Sequence, residues 1–372
     1  MAHGQQIGGG WPVDRLTTVK KRVFLPVVVS ASLVLTGCTQ GMIEQGEEQM
    51  DTMGNAEPVA SPDATDPAGE VIDFDPIQDI DLVPATRTDT EIKDGGLGVR
   101  AGDKLLVGDI DMLTSGNARE TAIDPDAADI SANAGKFAVA RADHNEVELV
   151  DPSAPSNPNT IVPVGDDVTV AAPLFGGGII AGSDTEERVW IYAEDGTELD
   201  TFTVARPSDY LLAQEQTDDD DRVVRINRFD TTIQDLHVEG RQGGTLRVGL
   251  GVGKVAFGEN GMVLAADATG NRMLVYTTDE VVRLHQMVPT DGSPWDVAWD
   301  SKRRLAWVSS TETNTVTAYD LSQGVPLEKG KLNTVADAQS LIVLEDGSLV
   351  LGSASGDGLQ VIDPATVDSA TN

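Results

Sequence analysis

The chain has 372 residues, with 26 lysines and arginines against 61 aspartates and glutamates, a formal net charge of −35 and one cysteine. A single cysteine excludes a disulfide framework and the usual structural zinc or iron–sulfur sites, which need several. The strong negative charge repels phosphate backbones, so we exclude nucleic acid as a general partner. The length allows one large globular domain or two ordinary ones, and a hydrophobic content of 40% is sufficient for a core.

Residues 1–37 have the pattern of a bacterial export signal. Lys20, Lys21 and Arg22 precede thirteen uncharged, mostly apolar residues that run from Val23 to Leu35. At about 1.5 Å per residue, a helix of this length cannot cross a hydrocarbon core about 30 Å thick. We therefore expect a signal peptide and not a membrane span.

The apolar run ends in Leu35-Thr36-Gly37-Cys38, which resembles the lipobox of bacterial lipoproteins. The resemblance implies cleavage before Cys38 and acylation of its sulfur, which would anchor the protein to a membrane without a spanning helix. A buried structural cysteine is the alternative. The lipoprotein interpretation predicts a protein held on the extracytoplasmic face of the cell membrane.

Residues 38–86 follow as an expected acidic tether. From Thr39 to Thr86 there is no lysine or arginine, and twelve acids are interspersed with five prolines. Such a composition favours an extended, hydrated chain because little apolar surface is available to offset the entropy of ordering. The predicted organisation is a signal peptide at 1–37, a tether at 38–86, a folded domain at 87–365 and a tail at 366–372.

From about residue 90 the chain consists of short apolar strands separated by Gly, Asp, Asn and Thr, which predicts an all-β fold. A small residue follows an apolar strand at Ala140, Ala181, Ala265, Ser309 and Gly352. The spacing is near 42 residues, with a degenerate copy expected near position 223. Four strands per repeat of this length indicate a β-propeller blade.

With a further short copy headed by Leu105 to Gly108, the repeats predict seven blades, and six or eight are the alternatives. Two packed β-sandwiches would give less regular spacing. We expect the ring to close by joining an early strand to the last sheet, since closure removes exposed edges.

The unit from Pro294 to Pro326, the strand from Gly358 to Ile362 and the lipobox together resemble the actinobacterial LppL-type lipoproteins. In the order of strands and turns within each repeat, the chain also resembles the wider YVTN and quinoprotein-like propellers. The resemblance implies an exported, lipid-anchored propeller, and it brings no catalytic residues to transfer.

The polar residues that could form a binding site lie in the loops between the second and third strands of the blades. In a propeller these loops gather on one face, where carboxylates and amides could hold a calcium ion or remain a solvated rim. Trp295 could add a ligand platform at the channel mouth, or pack between blades as Trp299 and Trp307 would. The predicted binding face consists of Asp143, His144, Asp184, Asp267, Trp295, Glu312 and Asn314.

These features favour a monomeric, non-enzymatic platform that binds an envelope protein or a glycan. A divalent-metal hydrolase resembling the lactonases, with channel carboxylates that activate water, is the alternative. A quinone-type redox propeller is disfavoured because no tryptophan pattern recurs in each blade. Convergence of carboxylates from several blades in the channel would favour the hydrolase.

Overall fold

The computed structural model describes residues 53–87, 92–93, 95–123, 129–154, 156–215, 221–237, 241–278 and 281–372. The predicted signal peptide and Cys38 lie outside these residues. In the described part of the chain the strands form seven four-stranded antiparallel sheets and one two-stranded ribbon. The innermost strands contact one another in a closed ring. The prediction of a seven-bladed β-propeller is confirmed.

The first three blades and the strand that precedes them follow in chain order. The strands are β1 (Glu70–Ile72), β2 (Ile77–Val83), β3 (Thr86–Arg87), β4 (Ile92–Lys93), β5 (Gly96–Ala101), β6 (Lys104–Gly108), β7 (Arg119–Ala122), β8 (Ser131–Asn133), β9 (Lys136–Arg141), β10 (Glu146–Val150), β11 (Thr160–Pro163), β12 (Val170–Pro173), β13 (Ile179–Gly182), β14 (Arg188–Tyr192) and β15 (Glu198–Thr203). Helix α1 (Ile110–Ser115) and a 3₁₀ turn (Ala142–His144) interrupt them.

The remaining blades continue to the last described residue. The strands are β16 (Tyr210–Glu215), β17 (Asp221–Asn227), β18 (Thr232–His237), β19 (Arg241–Arg247), β20 (Val252–Phe257), β21 (Met262–Asp267), β22 (Arg272–Thr277), β23 (Arg283–Pro289), β24 (Pro294–Asp300), β25 (Leu305–Ser310), β26 (Thr315–Asp320), β27 (Leu327–Asn333), β28 (Ala338–Val343), β29 (Leu349–Ser353) and β30 (Leu359–Ile362), followed by helix α2 (Pro364–Thr371).

Blade 1 contains β2, β5, β6 and β7, and blades 2 to 6 contain β8–β11, β12–β15, β16–β19, β20–β23 and β24–β27. Blade 7 contains β28, β29 and β30, with β1 as its outermost strand. Strand β1 pairs with β30, so that Glu70 lies opposite Val361 and Ile72 opposite Leu359. An early strand therefore closes the ring on the last sheet, as expected.

Apolar residues from adjacent blades form the core between the sheets. Trp307 and Ala298 of blade 6 pack with Leu341 and Leu351 of blade 7, and comparable clusters lie between the other blades. Valine, isoleucine, leucine and alanine dominate these clusters because aromatic residues are only 4% of the chain.

Two predicted boundaries differ from the structure. The chain from Met53 onward packs on the propeller, and β2, inside the predicted tether, is the inner strand of blade 1 with Ile77, Ile80 and Val83 buried. The predicted tail forms α2, whose fully buried Val367 packs against blades 6 and 7.

The copy expected at Leu105 to Gly108 belongs to blade 1 as its third strand, because Gly96–Ala101 supplies the second. The degenerate copy near residue 223 is β17, the second strand of blade 4. In the described ranges neither α-helix has the length and apolar character that a bilayer crossing needs.

Candidate functional site

The two ends of the ring differ in which loops they carry. Strands within each blade alternate in direction, so the 2–3 loops and the connections between blades lie at one end, and the 1–2 and 3–4 loops lie at the other. We call the first end the strap face, because residues 53–69, the N-terminal strap, cross it. We call the second end the open face.

Polar side chains line the central channel at one level of four inner strands. The third residue of β2, β20, β24 and β28 is Asp79, Lys254, Asp296 and Ser340, respectively. Each lies in or next to an irregularity in the pairing of its strand with the second strand of the blade. A bulge redirects side chains and leaves backbone groups unpaired, so this level of the channel becomes polar.

Lys254 connects blade 5 to three other blades across the channel. Its Nζ donates to a carboxylate oxygen of Asp79 and, at 3.2 Å, to the hydroxyl of Ser340. The nearest oxygen of Asp296 lies 4.0 Å away. The side chains of Lys254, Asp79 and Asp296 are only 12%, 6% and 7% exposed, so this is a buried charge network.

The channel carboxylates also replace hydrogen bonds that the innermost strands lack. An inner strand has no neighbour on its channel side, and its unpaired N–H groups need other acceptors. Each carboxylate accepts from the next residue of its own strand and from the following blade. The bonds are Ile80 N–H (3.0 Å) and Ile130 N–H (3.0 Å) to Asp79, Leu82 N–H (2.8 Å) and Ala132 N–H (2.6 Å) to Asp81, and Val297 N–H (2.7 Å) and Leu341 N–H (2.8 Å) to Asp296.

Burial and mutual repulsion change the protonation of these groups. Burial raises the pKa of Asp79 to about 6 and that of Asp296 to about 7, although Lys254 opposes both shifts. Burial, and then the charge of Asp79, raises the pKa of Asp81 to about 8. Burial disfavours the charge of Lys254, but Asp79 and Asp296 together raise its pKa above the ordinary value. At neutral pH the network therefore contains a charged lysine and a mixture of ionised and protonated carboxyl groups.

Asp129, just before β8, differs from the other carboxylates of the channel. Burial alone would raise the pKa of Asp129, but Lys254 and Arg228 lower it below its usual value. The guanidinium of Arg228, in blade 4, donates to the carboxylate of Asp129 at a nitrogen-to-oxygen distance of 3.0 Å. Asp129 is therefore the channel carboxylate that stays ionised.

A cavity of about 550 Å³ lies above the network and opens toward the open face. Asp79, Asp81, Lys254 and Asp296 line its inner end. Apolar residues at the ends of the inner strands, with Trp299 and Tyr210, form much of its wall. The volume and the mixed lining are typical of a small-molecule pocket.

The residues of the predicted binding face divide into two groups. Asp143, His144, Asp184 and Glu312 are exposed at the 2–3 end of their blades. Asp267, Trp295 and Asn314 are buried.

Asp267 and Asn314 hold backbone in place. One oxygen of Asp267 accepts N–H groups of Leu250 (2.9 Å), Gly251 (3.0 Å) and Gly270 (3.0 Å). The amide of Asn314 donates to the carbonyl of Pro62 at 2.7 Å. These contacts give both buried polar residues a structural role.

The strap covers part of the face that was expected to bind a ligand. Val59 N–H donates to the hydroxyl of Ser293 at 3.0 Å, before blade 6. Ser61 donates to the carbonyl of Thr311 at 2.6 Å and accepts from Asp337 N–H at 2.8 Å, which ties blade 6 to blade 7. A protein segment thus occupies these loops of blades 6 and 7.

Two of the three clustered tryptophans pack between blades. Trp307 is fully buried, and Trp299 packs with Val297 and residues of blade 5. Trp295 is 8% exposed and lies where the pairing of β24 is irregular.

The glycine-rich run from Gly249 to Lys254 also has a packing role. A Cβ at Gly253 would lie 2.5 Å from the carbonyl oxygen of Trp295, and one at Gly251 would lie 2.2 Å from the hydroxyl of Thr269. Close packing of the turn and of strand β20 therefore favours glycine at both positions.

The channel groups do not fit a divalent metal. Within the described ranges, no three His, Cys, Asp or Glu side chains are arranged to hold a metal ion. The ammonium of Lys254 already lies between Asp79 and Asp296, and backbone N–H groups bond to both carboxylates. A cation would have to displace these partners.

The sequence matches no known protein family and no curated protein. Solved structures with a similar fold include a streptogramin B lyase (13% identity, TM-score 0.55, covering 79% of this chain and 95% of that one). A hydrazine synthase of Kuenenia stuttgartiensis (12%, 0.58, 82% and 97%) and a virginiamycin B lyase of Staphylococcus aureus (12%, 0.54, 76% and 98%) are also similar. At these identities the likeness shows the fold alone, a β-propeller.

Proposed function

We propose that this protein is a lipid-anchored propeller of the cell envelope that acts as a non-enzymatic binding platform and presents its open face to a partner. One observation carries the proposal. The strap occupies part of one face, whereas two cavities among the described residues, the channel cavity and a cleft between blades 5 and 6, open on the other.

The proposed anchor is Cys38, as in the LppL-type lipoproteins that the lipobox resembles. Fifteen residue steps separate Cys38 from Met53, the first described residue. At a maximum of about 3.6 Å per residue, they keep Met53 within about 54 Å of the lipid. Cys38→Ala should move the full chain from the membrane to the soluble fraction. Unchanged retention in the membrane fraction would exclude this anchor.

The absence of catalysis is proposed from the state of the channel groups. The carboxylates of Asp79, Asp81 and Asp296 are bonded to backbone N–H groups of adjacent blades, and Lys254 is bonded to Asp79 and Ser340. Groups bound in this way hold the ring together, and a reaction would compete with that role.

The binding face can be tested by photo-crosslinking in cells. A photoreactive residue at Phe175 or Ser322 would lie on the open face, and one at Asp143 or Asp184 would lie exposed on the strap face. We expect adducts with an envelope protein or glycan from the first pair only. Equal labelling from both pairs, or labelling from the strap face alone, would contradict the proposed orientation.

A metal-dependent hydrolase is the second candidate, because carboxylates from blades 1 and 6 do converge with Asp129 in the channel. A thermal melt with calcium and then with chelator distinguishes the two functions. We expect no reversible shift of the melting temperature. A shift that a chelator reverses, and that Asp296→Asn abolishes, would favour the hydrolase.

A further inference from the structure

A second cavity lies on the open face, between blades 5 and 6 and beside helix α2. This interblade cleft has a volume of about 800 Å³ and is lined by the half-buried Trp299, by Gln286 and His285 of β23, and by residues of the 1–2 and 3–4 loops of blade 6. Its size lies within the range of ligand pockets.

The cleft is balanced in charge although the chain as a whole has a net charge of −35. Three cationic and three anionic side chains line it, namely Arg303, Arg304, Lys329, Glu259, Asp320 and Asp368. Arg303 bonds to Asp368 at 2.7 Å, and Arg304 bonds to Glu259 at 3.2 Å. These side chains offer donors and acceptors without an excess of either charge, so the cleft does not select an anion or a cation.

Trp299 supplies an aromatic wall that the cleft shares with the channel cavity. Its ring packs near Gly258, where a Cβ would lie 3.3 Å from the indole Cγ. A larger residue at position 258 would crowd the ring, so glycine helps to set its position.

Two polar atoms behind the wall of the cleft lack a hydrogen-bond partner among the described residues. They are the indole Nε1 of Trp299 and the Oε1 of Gln286, and both are buried. The amide nitrogen of Gln286 donates to the carbonyl of Leu321 at 3.0 Å, which fixes the side chain. Neither unpartnered atom has accessible surface in the cleft, so the hydroxyl groups of a ligand would bond to exposed polar side chains of the lining such as Arg304 and Lys329.

We propose that the interblade cleft binds a neutral carbohydrate. This proposal rests on the proposed function and specifies the chemical class of the partner. A pyranose presents an apolar face that suits an indole ring and a rim of hydroxyl groups that suits paired polar side chains. The balanced charge of the cleft disfavours phosphorylated ligands and acidic peptides.

The test is calorimetric titration of the full chain with cellobiose, maltose and chitobiose to about 10 mM, which detects millimolar dissociation constants. We expect at least one of these disaccharides to bind. Trp299→Phe should weaken binding by about threefold to tenfold, since stacking on the larger ring is reduced. Trp190→Phe is the matched control, because Trp190 is also half-buried but lines neither cavity.

Lys329→Ala provides a second variant that does not touch the core, since Lys329 is exposed. It should weaken disaccharide binding at an unchanged melting temperature. No binding by any of the three sugars, equal effects of the two tryptophan variants, or tighter binding of glucuronate or inorganic phosphate would overturn the proposal. If sugars fail while Phe175 and Ser322 still crosslink, only the ligand class is wrong. If sugars bind but the open face does not crosslink, the proposed function fails instead.

Discussion

Replacing Lys254 with methionine tests whether the channel network stabilises the ring. The side chains have similar length, but the variant leaves Asp79 and Asp296 without their ammonium partner in a site where both are less than 10% exposed. Breaking a buried ion pair by removing one partner costs about 3–5 kcal/mol. We expect Lys254→Met to lower the free energy of unfolding by about this amount at pH 8, measured by urea denaturation followed by tryptophan fluorescence.

The loss of stability in Lys254→Met should be larger at high pH than at low pH. The pKa of Lys254 is raised, so its charge is present throughout the range from pH 5 to pH 8. The pKa values of Asp79 and Asp296 are raised to about 6 and about 7, so the folded state binds more protons than the unfolded state above about pH 4. Wild-type stability therefore falls as pH rises through this window, by up to about 1.4 kcal/mol per pH unit for each carboxyl.

Without Lys254 the pKa values of Asp79 and Asp296 rise further, so the free energy of unfolding falls more steeply as pH rises. At pH 5 both carboxyls are protonated, and the difference between variant and wild type should shrink to about 1 kcal/mol or less. Adding Asp79→Asn should recover a large part of the loss at pH 8. Lys104→Met is the matched control, because Lys104 pairs with Glu120 at 3.1 Å on the surface, where solvent screens the pair and its loss should leave stability nearly unchanged. Equal losses at pH 5 and pH 8, or no rescue by Asp79→Asn, would refute this account of the channel.

Three further predictions concern packing and loop structure. Asp267→Ala should cost about 3 kcal/mol in chemical denaturation because three backbone N–H groups lose their acceptor, whereas Asp184→Ala, on the surface, should stay within about 0.5 kcal/mol of wild type. Similar losses of stability in the two variants would show that the carboxylate of Asp267 does not stabilise these backbone groups. Gly253→Ala should cost about 2 kcal/mol, since its Cβ would lie 2.5 Å from a backbone oxygen of blade 6, and Gly176→Ala, which meets nothing within 4 Å, should be neutral by the same measurement. A neutral Gly253→Ala would contradict the close approach of the two inner strands. Ser61→Ala removes two hydrogen bonds of the strap, so hydrogen exchange at residues 53–69 should accelerate while exchange in the blades is unchanged. An unchanged exchange rate in the strap would show that Ser61 does not hold it.

The blade architecture was predictable because its signal is local. An apolar strand, a small residue and a polar turn recur within each repeat, and the second strands of blades 2 to 7 lie at the predicted positions from Ala140 to Gly352. Even the degenerate copy near residue 223 follows from spacing alone. Strand-scale periodicity needs no knowledge of distant partners, so a single sequence is sufficient to show it.

The start of the folded domain was not predictable by the same means. Strand β2 contains Gln78, Asp79 and Asp81 among its seven residues, and it lies in a stretch with no basic residue, which made it resemble a solvated segment. The buried carboxylate of Asp79 pairs with Lys254, which is 175 residues away in the chain. A sequence pattern read locally has no access to that partner. A lysine at the third position of one inner strand, with acids at the same position of two others, is the signal that could have shown it.

The predicted binding face illustrates a second limit. An acid or amide at the end of a strand can meet solvent or can cap backbone groups, and both roles require the same residue types at the same positions. Asp184 is exposed and Asp267 is buried, although both lie at or just beyond the end of the second strand of their blades, blade 3 and blade 5. The glycines around position 250 bring backbone close to Asp267, and this environment, not the carboxylate, separates the two roles.

The channel explains why a ring of this kind needs charged groups in its centre at all. Seven inner strands leave a row of N–H groups without neighbours, and water in a narrow channel satisfies them less well than fixed acceptors do. Carboxylates of Asp79, Asp81 and Asp296 serve as such acceptors, but three of them in one buried site repel each other, and Lys254 reduces that repulsion. Loss of a carboxylate from this network would leave backbone N–H groups of two blades without an acceptor. The proposed carbohydrate site lies outside the network, between blades 5 and 6, where Arg304 and Lys329 are exposed and a ligand would not have to displace these hydrogen bonds.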